Sequence, residues 1–245
     1  CAIVTGTDLE VAQAAAVQIA SDFWDARDRF AFGPVTGPLD QMLDLAEKAT
    51  TRPIILADSG DNPTGGGVGD RTDVLVALIA RRWRDVILAG IADAPATEVC
   101  FTTGEGADLI LRIGASLDPT SQPMKVCARV LRLDAGETPA DRQAVIQIGG
   151  IRVVLAARRR PYHNIADFTR LGLDPVQARL VVVKSGYLSP ELAPLAKPNL
   201  MALTDGAVNQ DIPRLENLHR PPGTWPFDAL ATFTPQAAPS ARFKG

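Results

Sequence analysis

Histidine is nearly missing from this chain. Only His163 and His219 occur, far apart, and the three cysteines (Cys1, Cys100 and Cys127) form no CxxC and no even-numbered set. A zinc site needs three or four nitrogen, sulfur or carboxylate ligands held at short range, so none of the metal ligands is expected to come from this chain alone. A disulfide framework is equally excluded, and a reducing, cytoplasmic setting fits the cysteine usage. No apolar run approaches the roughly 20 residues of a membrane-spanning helix, and no signal peptide is visible. A basic excess is missing too: 25 Lys and Arg stand against 28 Asp and Glu. That balance argues against nucleic acid or an anionic membrane as partner. The one tight basic run, Arg158-Arg159-Arg160, reads as a solvated strand end. Internal repeats and low-complexity segments are absent.

What is present is ordinary globular material, 46% hydrophobic and 22% charged, enough for one large domain or two small ones. The opening "CAIVTGTDLE" reads as a strand running into a helix, with no Met before Cys1, as in a processed or excised piece of a longer protein. Ala12, Ala16, Ile19 and Phe23 recur at helical spacing, and Thr7 or Asp8 can cap a helix running to about Phe30. The Gly/Pro-rich stretch 32–38 is a break and a domain boundary: residues 1–35 are expected to end a preceding domain, and 36–245 to form the next. A short amphipathic helix follows from Leu39. The runs 52–58 and 85–93 are compact and apolar, as strands buried on both faces are, with helical patterns after each. This order implies right-handed crossovers and a parallel sheet.

The middle changes character. Segments 107–116, 125–133, 143–148 and 151–157 are strands without helices between them, and Gly149-Gly150 is a hairpin turn. A helix over "NIADFTRLGL", a strand at 179–185, a short helix over "PELAPLA" and a strand at 198–205 follow. Beyond Asp211 the proline-rich tail is expected to lie on the surface. The predicted fold is therefore α/β, a mixed sheet with a parallel portion and an antiparallel hairpin portion, helices packed on it.

One stretch has more glycine and aspartate than a turn requires. "ADSGDNPTGGGVGDRTD" (57–73) follows a predicted parallel strand and enters a helix, at the sheet edge where open α/β folds bind ligands. Gly65, Gly66, Gly67 and Gly69 permit close backbone approach to a ligand. Asp70 and Thr72 can cap the helix, and an anion would suit its N-terminus. Asp58, Asp61, Asp70 and Asp73 would repel one. No Gly-Lys-Ser/Thr follows, so this is not a Walker loop, and it is not GxGxxG. Asp61 and Asn62 could polarise a substrate or orient water, or they could make Asx-turn bonds before Pro63. Lys184 could bind a substrate carboxylate, or reach solvent past its strand. Tyr187 could donate to substrate or pack against a helix. A hard-cation site from Asp93 and the loop carboxylates matches no EF-hand spacing.

At this point a resemblance becomes specific. "DSGDNPTGGGVGDRTD" resembles the Asp-Asn-Pro-Gly-Gly-Gly-Gly-x-Gly-Asp-x-Thr signature of the microcystinase C (MlrC-like) family of metallopeptidases, with Thr64 in place of one glycine. "GGIRVVLAARRR", "FTRLGLDP" (168–175), "VVVKSGYLSPELAPLA" (181–196) and "WPFD" (225–228) are similar to further family segments in the same order. The resemblance implies the C-terminal domain of a zinc peptidase or amidohydrolase whose metal ligands lie in an N-terminal domain of the same protein. That domain and a small peptide or amide would be the partners, and a homodimer stays open. The glycine loop would face the zinc, with Asp61 as the catalytic candidate and Asn62, Gly65, Gly66, Gly67, Asp70, Thr72, Lys184 and Tyr187 toward substrate. Ser185-Gly186-Tyr187-Leu188-Ser189 stands where some members carry Ser-Val-His-Phe-Arg, so specificity carried by that histidine and arginine does not transfer. A phosphate- or nucleotide-binding module and a non-catalytic interaction domain are the competing readings of the same loop.

Overall fold

The computed structural model of the protein describes residues 1–241. Their contacts divide them into two compact units, residues 34–212, and residues 1–33 together with 213–241.

The larger unit is built on one mixed sheet. Its strands are β1 (Val35–Gly37), β2 (Ile54–Asp58), β3 (Arg84–Ala92), β4 (Asp108–Ile113), β5 (Met124–Asp134), β6 (Gln143–Ile148), β7 (Gly150–Ala156), β8 (Leu180–Lys184) and β9 (Asn199–Ala202). Their spatial order is β1-β9-β2-β8-β3-β7-β6-β5-β4. The pairings from β1 through to β7 are parallel, and those from β7 to β4 are antiparallel. The expected α/β mixed sheet is what the chain forms. Two late strands insert among early ones: β8 lies between β2 and β3, and β9 between β1 and β2.

Strand alternation explains the layers. Ile54, Leu56, Val86, Leu88, Leu180 and Val182 face one side, with α2 (Leu39–Lys48), α3 (Asp73–Ala80) and α4 (Ala94–Thr103) supplying Met42, Leu43, Leu75, Leu78 and Cys100 to the same core. The intervening Ile55, Ile87, Val181 and Val183 face the other side, against Phe168 of α5 (Ile165–Thr169), Leu171, Leu173 and Leu192. A strand buried on both faces cannot alternate polar with apolar, which is why β2 and β8 read as continuous apolar runs. Each fully buried aliphatic side chain contributes ~1.5–3 kcal/mol.

The hairpin is as expected. Ile148 pairs with Ile151 across the two-residue turn, and Gly149 takes φ +55, as a turn with glycine first requires. Four local expectations differ. Residues 1–7 form no strand, because an extended segment becomes one only when its backbone groups find a partner, and the helix α1 begins at Leu9 with Asp8 as its cap. Val35–Gly37, inside the stretch read as a break, pairs with Leu200–Ala202 as an edge strand. The "PELAPLA" segment makes successive turns instead of a helix; Pro194 lacks the N–H a helix would use and clashes with the preceding turn. Helix α5 stops at Thr169, and Gly172 (φ +71) turns the chain after it.

The smaller unit consists of α1 (Leu9–Ala26), a 3-10 turn (Arg27–Arg29) and the C-terminal segment. Trp24 meets Phe233 at a ring separation of 5.3 Å, and Arg27 lies over the Trp24 ring. None of the 18 residues of α1 is buried.

Candidate functional site

Three neighbouring parallel strands end together. Asp58 closes β2 directly beside Lys184, which closes β8, and Ala202 of β9 is paired with Asp58 on the other side. The glycine-rich loop, residues 59–72, leaves from this edge. Lys184 does not reach solvent. Its side chain is 4% exposed. The ammonium donates to Asp58 Oδ2 (3.0 Å), Asp61 Oδ2 (2.9 Å) and the Arg71 carbonyl (2.9 Å). Three donors meet three acceptors, so the group is fully satisfied. Burial alone would pull the lysine pKa down; the Asp58 and Asp61 charges and hydrogen bonds overcome it and hold the pKa above its ordinary value.

Both carboxylates are occupied on their remaining sides. Asp58 Oδ1 accepts the Thr204 hydroxyl (2.5 Å), and Thr204 Oγ1 in turn accepts the Gly60 N–H (2.8 Å). Asp61 accepts the N–H of Gly69 (2.7 Å) and of Arg71 (2.8 Å). The loop is thus closed over Asp61 from within. Asn62 adds an Asx turn: its Oδ1 accepts the Thr64 N–H and hydroxyl, while its carbonyl accepts the N–H of Gly65 and Gly67. A Cβ on Gly67 would lie 2.6 Å from the Asp61 carbonyl carbon. Here glycine is required by the close approach of the chain to itself.

The far side of the loop is pinned to residues 114–122. Asp70 Oδ2 accepts the N–H of Leu117 (2.6 Å) and Asp118 (3.1 Å). Arg71 pairs with Asp73 and Asp118 at 2.7 Å each and donates to Thr120. The Asp118 pKa is lowered, first by the Thr120 hydroxyl and also by Arg71, against the effect of burial. Thr72 occupies the N-cap position of α3 without a side-chain cap bond; its hydroxyl donates to the Gln122 carbonyl (2.8 Å). The expected helix caps from Asp70 and Thr72 are therefore not made, because the neighbouring 114–122 loop offers both side chains backbone partners. Asp93 does cap, accepting the Ala96 N–H at the start of α4 and the Gly114 N–H. Its pKa is raised, by burial first, with the nearby Asp70 charge adding to it.

Of the residues expected at the site, Asp61, Asn62, Gly67, Asp70, Thr72 and Lys184 lie inside, and Gly65, Gly66 and Tyr187 are exposed. Tyr187 is 69% exposed, at the turn after β8. Sequence reading did not find the roles of Asp58, Thr204 and Arg71. Asp58 and Thr204 are 146 residues apart, and no local pattern marks a partner that only strand order brings near. The chain's own donors do not fit a zinc ion. Asp58 and Asp61 are committed to Lys184 and to loop donors, and among the described residues no three His, Cys, Asp or Glu side chains converge as metal ligands. Asp93 and the loop carboxylates form no such group among the described residues.

A sequence model of the MlrC C-terminus matches residues 56–219. The chain belongs to that family. The MlrC C-terminus match begins in β2 and contains the entire glycine loop, Lys184 and Thr204. The chain is similar to microcystinase C of a Sphingomonas species, 30% identical over 152 residues, covering 58% of this chain and 30% of that protein. Its fold is similar to a crystal structure from Mesorhizobium sp. BNC1 described as a "Putative metallopeptidase", with a TM-score of 0.72 at 19% identity. That likeness covers 92% of this chain and 47% of the other. The chain thus spans less than half the length of either relative. Among the described residues no helix is long and apolar enough to cross a membrane.

Proposed function

We propose that this chain is the C-terminal part of a zinc metallopeptidase of the MlrC type, and that its glycine loop forms one wall of a hydrolytic site for a small peptide or amide. The metal would be held by a preceding N-terminal domain, of which residues 1–35 would be the end. The family membership and the two metallopeptidase-related likenesses support a metal-dependent peptidase as the parent activity. Three unbridged cysteines suit the cytoplasmic setting expected for it.

One observation carries the reading. A buried lysine and two buried aspartates tie down a glycine-rich loop at the carboxyl edge of the parallel strands. Burying three charges is costly unless every one is paired, and a glycine-rich loop costs chain entropy without side chains to pack. A loop that only joined β2 to α3 would need neither. Held rigid, it presents backbone at a fixed distance from a ligand, which is what orientation of a substrate requires.

Within this reading Asp61 is a positioning residue. Both its oxygens are used in shaping the loop, and it acts on substrate through the loop's outer backbone. Asp61→Asn replaces one acceptor oxygen by a donor facing an N–H or the Lys184 ammonium. The expected outcome is a loss of about 1–3 kcal/mol of stability, with a rise in KM accompanying any fall in kcat. Peptide hydrolysis by the zinc-loaded longer protein, with denaturant melts alongside, checks it. A wild-type protein that cleaves no peptide or amide would refute the proposed activity. An Asn variant with unchanged stability and a pure kcat loss would make Asp61 a reacting group instead.

A further inference from the structure

The basic run Arg158-Arg159-Arg160 lies just after β7, at the same carboxyl edge as the glycine loop. Its outer members are committed. Arg158 pairs with Asp141 at 2.6 Å, and Arg160 pairs with Asp167 at 3.1 Å. Arg159 has no acidic partner among the described residues. It is exposed, and its guanidinium makes a weak bond from Nη1 to the Gly67 carbonyl at 3.4 Å. Its Cβ stands 3.7 Å from the place a Cβ on Gly69 would occupy. A guanidinium without a carboxylate partner thus lies against the loop.

The loop has donors to spare. The N–H groups of Thr64, Gly65, Gly67, Gly69 and Arg71 are all used in closing the loop. Those of Gly66 and Val68 donate to no group among the described residues. Gly66 is exposed, and a Cβ there would meet nothing.

We propose that Arg159, together with the free N–H groups of Gly66 and Val68, forms a subsite for a carboxylate of the peptide substrate. This deepens the peptidase reading and rests on it. A guanidinium fork and two amides match the two oxygens of a carboxylate, and charge-assisted bonds of this type are the strong ones. Charge selects the monoanion. Behind the loop two carboxylates share one lysine, so the interior keeps a residual negative charge that opposes a phosphate dianion more than a carboxylate. Arg159 is separated in sequence from the loop by 92 residues, and only the register of β7 beside β3 brings them together.

The test is a titration of the 15N-labelled chain with N-acetyl-alanyl-alanine as the free acid, as its C-terminal amide, and with inorganic phosphate. Over concentrations to about 10 mM, a range that reaches weak complexes, the free acid should shift the amide signals of Gly66 and Val68 and the Nε signal of Arg159. The C-terminal amide should not. Arg159→Gln should weaken binding of the acid by about tenfold or more while the rest of the spectrum is unchanged, and Arg159→Lys should not restore it, since an ammonium lacks the fork. No shift at Gly66 and Val68, equal shifts with acid and amide, undiminished binding to Arg159→Gln, or tighter binding of phosphate would each overturn the subsite. The readout is binding and not turnover. A subsite that binds the acid in a longer protein that hydrolyses no peptide therefore refutes the activity alone.

Discussion

At the scale of single residues, Lys184 decides the most. Its ammonium neutralises charge that would otherwise be buried unpaired on Asp58 and Asp61. Removing one partner of such a group leaves the others uncompensated, a loss of ~3–5 kcal/mol. Lys184→Met keeps the length and apolar stem and deletes the charge, so it should lose about that much at pH 7 in a urea melt. The sign of the pH dependence follows. In wild type the lysine pKa is raised, so its contribution is whole below the ordinary value of 10.5 and drains away only as pH rises through the folded value. A loss far below that range in the pH 7 melt would mean that the stem of Lys184 matters more than its charge.

At the scale of elements, the loop's glycines are not equivalent. Gly60 and Gly67 lie against backbone: a Cβ on the first meets the Thr204 carbonyl, and on the second the Asp61 and Asn62 main chain at 2.6–2.8 Å. Gly66 has φ +107 and open space around it. Gly60→Ala and Gly67→Ala should each cost ~1–3 kcal/mol or more through forced displacement of the chain. Gly66→Ala carries only the strain of its positive φ, ~1–2 kcal/mol. Denaturation midpoints of the three variants test the order. The same contrast shows what a sequence discloses. The strands were legible because β2, β3 and β8 bury both faces and read as apolar runs, and the Gly149-Gly150 hairpin because its turn chemistry is local. The loop was legible as unusual, since four glycines in five residues pack nothing. Which glycine touches what was not, and neither was the inward direction of Lys184. Both depend on β8 inserting beside β2, and strand order leaves no mark in local composition.

At the scale of the molecule, the two units differ in kind. Residues 34–212 contain the entire sheet and both of its hydrophobic clusters. The smaller unit has α1 with no buried residue, and Ile3, Phe23, Phe30 and Leu230 stand exposed. A body that buries so little apolar surface gains little stability of its own. Excision of residues 34–212 should therefore give a cooperatively folding piece whose melting temperature lies within about 3 °C of the longer chain, a shift corresponding to ~1 kcal/mol. Differential scanning calorimetry of both checks it. A non-cooperative melt of the excised piece would show that the sheet depends on the flanking segments.

The insertion of β8 and β9 among earlier strands also sets a clock. Translation delivers Asp58 and Asp61 first, and Lys184 only 123 residues after Asp61. At ~5–20 residues per second, two aspartates destined for the interior wait on the order of 6–25 s for the cation that lets them be buried. Thr204, the second tether of Asp58, emerges later still. Until then β2 and β3 are a pair of apolar strands with a gap between them. Until β8 and β9 are made, both edges of β2 and one edge of β3 lack their partners, and the newborn chain presents them, with an open acidic loop, to whatever chaperones or proteases are near the ribosome.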